Sequence, residues 1–248
     1  MIVIRSPREI QHLRKANTIV AEALRLLRRE IKPGVATREL NQIAEEIIVS
    51  RGAVPAFKGY RGFPASLCTS VNEQIVHGIP DGRKLKEGDI ISLDFGVKLN
   101  GFYGDAAITV AVGEIGNTAR SLLEVTEQAL YRGIEQAVVG NKLSDVCQAI
   151  QCWVEKHGFS VVRDFVGHGI GTSLHEEPQI PNFGVPLPNP RLQEGMVFAI
   201  EPMVNEGTHE MRILPDGWTA VTADGKLSAH FEHSIALTAT GPIILSAW

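Results

Sequence analysis

Four acids stand where strands ought to be apolar. Asp94 follows Ile90-Ile91-Ser92-Leu93, and Asp105 lies in the run that returns after Asn100-Gly101. Glu201 ends Met196-Val197-Phe198-Ala199-Ile200, and Glu232 sits in Phe231-Glu232-His233-Ser234-Ile235. Ionised carboxylates are seldom buried unless they are paired or bound to a cation. For any one of them, a strand-end acid reaching water is the ordinary explanation. Four at related places imply convergence, and four like charges held together need protons or cations. A pair of divalent ions would satisfy all four. His168, framed as Gly167-His168-Gly169, offers a nitrogen donor on a backbone that lets a ligand come close. Its His-Gly-Ile triplet recurs at His77, and His175 follows seven residues after His168. An oxygen-rich set with one imidazole suits Mn, Fe or Co better than a thiolate-type zinc site.

The elements that carry these residues read as two copies of one unit. Ser6-Pro7-Arg8-Glu9 is a capping box with proline at the first helical position. It opens an amphipathic helix with Ile10, Leu13, Ile19, Val20, Leu24 and Leu27 inward, closed by Lys32-Pro33-Gly34. A second helix runs from about Thr37 to Ser50. Strands follow at Asp89–Gly96 and from Phe102 to about Val112, joined at Asn100-Gly101, a hairpin signal. A helix near Asn117 then restarts the order. Gly34 and Gly52 recur as Gly140 and Gly158, 106 positions on, and KLKEGDIISLDF (84–95) lies over RLQEGMVFAIEP (191–202) at an offset of 107. Asp94 thereby matches Glu201. Asp105 takes Glu232 as its expected counterpart, across a longer second connection running from Asn205 to about Lys226. Two helix–helix–strand–strand units with sheets side by side and helices on one face give an α+β domain. The expected organisation is one catalytic domain over 1–248, with halves at roughly 1–115 and 116–248.

Composition narrows the class. The 248 residues are 44% hydrophobic and 21% charged, with a net charge of −4 and no basic block, which disfavours nucleic acid as a specific partner. No run approaches membrane-spanning length, and the N-terminus lacks a signal-peptide core. Cys68, Cys147 and Cys152 form no Cys-x-x-Cys pair, as in a protein of a reducing compartment. A cytoplasmic location is expected.

His77-Gly-Ile-Pro, Asp94 with Asp105, Gly-His168-Gly-Ile-Gly, His175-Glu-Glu-Pro, Ile-Glu201-Pro-Met and Glu232-His, in this order, resemble the type I methionine aminopeptidase family. The resemblance runs from the first helix to the last strand. It implies the pita-bread fold of two pseudo-symmetric ααββ halves, and the absence of a long N-terminal extension accords with type I. It also implies two divalent metal ions (Mn, Fe, Co or Zn), one chelated by Asp94, the other held by His168 and Glu201, with Asp105 and Glu232 bridging. Two such ions lie about 3.5–4 Å apart in centres of this kind and activate a bridging hydroxide. Glu201 would be the general base, while His77 and His175 would contact the scissile peptide.

By the same resemblance Tyr60, Phe63, Cys68 and Trp218 line a pocket for the methionine side chain, and thioether sulfur packs well on aromatic edges. Three residues depart from the family pattern: Phe57 replaces a cysteine, Leu174 an aromatic residue and His230 a glutamine. Asn72 and Ser228 match a monovalent-cation site. The implied activity is removal of initiator methionine before a small second residue, by a monomer that meets nascent chains, with the ribosome as a further candidate partner. A prolidase or Xaa-Pro aminopeptidase is the rival within the fold. A pita-bread protein that binds ribosomes or RNA without catalysis is the rival outside it, and it would be expected to lose ligands and gain basic surface.

Overall fold

The computed structural model describes residues 1–184 and 189–247. Helix α1 spans Pro7–Glu30, and Ser6 and Glu9 cap its first turn reciprocally. Its buried stripe includes Leu13, Ala16, Val20, Leu24 and Leu27, the face expected from the spacing of apolar residues. Helix α2 is Thr37–Ser50, α3 is Asn117–Gln136 and α4 is Leu143–Lys156. These helices pack on a nine-stranded sheet, with Leu40, Leu93, Phe95, Leu122, Ile150 and Phe198 in the shared core. Every pairing in that sheet is antiparallel among the described residues. No described helix is long and apolar enough to cross a membrane.

The first half is built around a hairpin of Ile90–Leu99 and Phe102–Ala111. Asn100 (φ 51°) and Gly101 (φ 87°) both turn left-handed at its tip, as a tight two-residue hairpin requires. Helix α1 lies close against this hairpin. A Cβ on Gly104 would stand 2.7 Å from the Asn17 amide nitrogen, so only glycine permits that approach beside Asp105.

The repetition extends to hydrogen bonds. Gly34 (φ 93°) donates to the Leu85 carbonyl at 2.7 Å, and Gly140 (φ 96°) donates to the Leu192 carbonyl at 2.9 Å. Glu39 accepts from the Ala36 amide and Asp145 from the Lys142 amide, opening α2 and α4 in the same manner. Pro55 opposite Val97 is echoed by Val161 opposite Val204, and Ser92 opposite Thr109 by Ala199 opposite Ser234.

That register corrects one expectation. Asp105 lies opposite Gly96, and the equivalent position opposite Met203 holds His230, not Glu232. Glu232 instead corresponds to Ala107, which it faces across the two-residue joint between the halves. Asp94 and Glu201 therefore remain as mates, while Asp105 and Glu232 do not. Residue type suggested the wrong match because the second hairpin's connection has a different length, and only the ladder of hydrogen bonds fixes the count. That connection contains the strands Met211–Ile213 and Ala220–Thr222. The latter pairs with Gln74–Val76 in the first half, so Ala220 lies opposite Val76 and Trp218 comes beside His77.

Candidate active site

The four acids converge where the halves join. Asp94 stands mid-strand in Ile90–Leu99 between Cys68 and Ala107, and Asp105 lies one strand over. Glu201 follows the strand Val197–Ile200, and Glu232 begins the strand Glu232–Thr238. His168 is central in the short strand Gly167–Gly169. A Cβ on Gly167 would meet the Ala199 carbonyl oxygen at 2.5 Å, and one on Gly169 would collide with the Glu177 carbonyl. The Gly-His-Gly sequence is thus what lets this strand press against both neighbours and deliver the imidazole. His168 Nδ1–H donates to the Gly169 carbonyl at 2.9 Å, which leaves Nε2 as the free lone pair facing the acids. Nε2 lies 3.6 Å from Glu201 Oε1 and 4.0 Å from Asp105 Oδ2.

No lysine or arginine pairs with these carboxylates among the described residues; their ionic contacts are to His168 and His230. Burial raises Asp94 and Glu201 to about 7, Asp94 further through the charge of Glu201. Burial, and then the neighbouring acids, push Asp105 and Glu232 well above the usual carboxylate range. Asp94 Oδ1, Asp105 Oδ1 and Glu232 Oε1 are buried without a hydrogen-bond partner among the described residues. Each such orphan costs about 1–3 kcal/mol. Asp105, His168 and Glu232 offer ligand atoms that all lie within 4.8 Å of one another. Crowded, unpartnered, hard donors around a neutral imidazole fit a divalent metal centre.

A cavity of about 320 Å³ opens onto this cluster. Tyr60, Phe63, Cys68 and Trp218 all line it, as do His77 and His175. Phe63 meets Trp218 edge to face at 5.2 Å, and His77 stands edge-on to Phe165 and Trp218. His77 adopts φ 61°, unusual for a residue with a side chain, and burial lowers its ring to about 4. His175 Nδ1 lies 2.7 Å from the Tyr60 hydroxyl, and its ring centroid is 4.3 Å from that of His168. Desolvation by the pocket wall, then the Arg61 charge, pull His175 below its ordinary range. Both rings are neutral at pH 7.

The departures from the family pattern have structural accounts. Phe57 fits because Gly96 has no side chain: a Cβ there would sit 2.7 Å from Phe57 Cε1. Leu174 is buried in the apolar cluster under the cavity together with Phe57 and Cys68. His230 lies behind the acids, outside the cavity wall. Asn72 and Ser228 are brought together by the Ser228 amide, which donates to the Asn72 carbonyl at 2.9 Å. The sequence did not single out Arg61, Phe165 or Met203 as lining residues, nor Asn182, whose side-chain amide donates to the Glu201 carbonyl at 3.1 Å. Phe165 and Met203 flank the two motifs closely enough to have been noticed. Arg61 and Asn182 carry no signal of their own.

Comparison with known proteins gives the family. The family model described as Metallopeptidase family M24 matches residues 11–239. The methionine aminopeptidase of Clostridium perfringens is 54% identical over 246 residues, and methionine aminopeptidase 1 of Bacillus subtilis is 55% identical over 246, each covering 99% of both chains. The crystal structure of methionine aminopeptidase from Thermotoga maritima matches with a TM-score of 0.97 at 47% identity, covering 100% of each chain.

Proposed function

The chain belongs to metallopeptidase family M24, and from that premise we infer a metal-dependent aminopeptidase that removes N-terminal methionine from peptides and nascent proteins. Its fold is the pita-bread arrangement of the family. We take 1–248 as a single catalytic domain of two halves, roughly 1–115 and 116–248, because ligand candidates come from both. The observation that carries the reading is the set of buried carboxylate oxygens with no partner, gathered around His168 at the floor of the cavity.

Asp94, Asp105, His168, Glu201 and Glu232 would hold two divalent cations, with Mn, Fe, Co and Zn all compatible with the donors. Such a pair supplies Lewis-acid activation of the peptide carbonyl and makes water a competent nucleophile at neutral pH. The chain's own residues do the rest. Glu201 accepts the proton of the attacking water, a role suited to a carboxylate buried at the floor of the cavity beside His168. His175, oriented by Tyr60 at Nδ1, presents Nε2 to the peptide, and His77 supplies a second neutral imidazole beside it. Tyr60, Phe63, Cys68 and Trp218 enclose the methionine side chain and exclude water. A small second residue is the preference that goes with this reading. A monovalent cation near Asn72 and Ser228 would brace the joint. A cytoplasmic monomer that meets nascent chains at or near the ribosome suits this substrate.

Kinetics with Met-Ala-Ser and Ala-Pro peptides test the reading. Metal-reconstituted protein should cleave the first, lose activity in EDTA and regain it with metal; faster cleavage of Ala-Pro would replace the proposal with a proline-directed enzyme. Glu201→Gln should lower kcat about 10²- to 10⁴-fold.

A further inference from the structure

His230 is the mate of Asp105 in the repeated register, yet it does not join the ligand group formed by Asp105, His168 and Glu232. Its backbone is fixed from both directions by one side chain. The Thr109 hydroxyl donates to the His230 carbonyl at 2.8 Å and accepts from the His230 amide at 2.9 Å. Ser92 Oγ, 2.9 Å from Thr109 Oγ1, steadies that hydroxyl. The imidazole is 1% exposed, and neither ring nitrogen has a hydrogen-bond partner among the described residues. Nε2 points at Glu201 Oε2 from 3.5 Å, while Glu201 Oε1 faces His168 Nε2 at 3.6 Å. The carboxylate is therefore bracketed by two imidazoles, one on each oxygen. His168 offers a lone pair on its side, since its proton is committed to Gly169. Toward an ionised carboxylate oxygen, a neutral imidazole on the other side can form a hydrogen bond only by donating.

We propose that His230 is a positioning residue whose Nε2–H donates to Glu201 Oε2 and keeps Oε1 turned toward His168 and the metal centre. The inference rests on the metal-centre reading given above. A contact of 3.5 Å is longer than a formed hydrogen bond, and a small rotation of either side chain closes it, as happens when catalytic contacts tighten on loading. Outer-sphere donors of this kind are worth about 10- to 100-fold in metal affinity. A glutamine at this position, the residue the family pattern leads one to expect, also offers an N–H to a carboxylate.

The test is Mn(II) binding to metal-free protein by calorimetry, for wild type, His230→Leu and His230→Gln, with melting of the metal-free forms as the check on folding. His230→Leu should bind Mn(II) about 10- to 100-fold more weakly, and His230→Gln should recover most of the loss. Should His230→Leu fail to fold, His230→Met replaces it with the same expectation. Wild-type affinity in a folded His230→Leu overturns the proposal. Affinity in His230→Gln as weak as in His230→Leu also overturns it, because imidazole itself would then be required and His230 would be a ligand. A wild type that binds no Mn(II) removes the metal-centre reading and this inference with it.

Discussion

Tyr60 and His175 meet through a single hydrogen bond of 2.7 Å, and that bond decides which nitrogen of His175 faces the substrate. Tyr60→Phe keeps the pocket's shape and removes the bond. A bond of this kind is worth about 0.5–1.5 kcal/mol, so kcat/KM for Met-Ala-Ser should fall roughly 2- to 13-fold. An unchanged value would show that the ring is oriented by packing against His168 alone. At this scale the sequence was generous. The four acids and His168 stood out by type and spacing, while His77, His175 and the four pocket residues came only with the family resemblance; all of them line one cavity. Arg61 and Asn182 did not stand out, since an arginine before glycine and an asparagine after proline read as loop. Their place depends on contacts made from distant parts of the chain.

The elements were legible as far as local chemistry dictates them. The helix bounds followed from Pro7, the apolar stripe, and glycines at Gly34, Gly52, Gly140 and Gly158, all with positive φ. Pairing across the second hairpin was illegible, because no local feature counts residues through a connection that itself folds into strands. One brace between elements was also invisible. Arg5, 5% exposed at its side chain, pairs with Glu176, whose Oε1 also accepts from the Thr172 and Ser173 amides. The loop that carries His175 is thereby tied to the segment before α1. Arg5→Met leaves that carboxylate largely buried without its cation, at a cost of about 3 kcal/mol. A lowered melting temperature and faster amide exchange over residues 171–176 are expected, and unchanged exchange would make the pair dispensable. Gly104→Ala should act on α1 instead, lifting it from the strand of Asp105 and lowering stability without touching the His175 loop.

The whole molecule carries the electrostatic consequence of gathering four acids. Without metal, Asp94 and Glu201 titrate near 7 when folded, against 3.8 and 4.5 as ordinary values. A carboxyl whose folded value is raised binds extra protons in the native state, so stability falls as pH rises from about 4 to about 7. The histidines oppose this. His77, lowered to about 4 from 6.5, loses stability as pH falls below 6.5. The two trends offset each other between about 4 and 6.5, and above 6.5 the acids alone remain. Metal-free protein should therefore melt progressively lower from pH 6.5 to about 7.5, while the gain on adding Mn(II) widens over the same range. A gain independent of pH would mean that the acids do not share the metal.

The tie between Arg5 and the far half has one more consequence. The Arg5 amide donates to the Gly195 carbonyl at 2.8 Å, and its side chain reaches Glu176. Translation delivers residue 5 first and residues 176 and 195 long afterwards. Until then Arg5 has only its neighbour Glu9 to pair with. The loop of His175 is thus secured by an early-made segment closing over one made much later, so this brace forms late in folding.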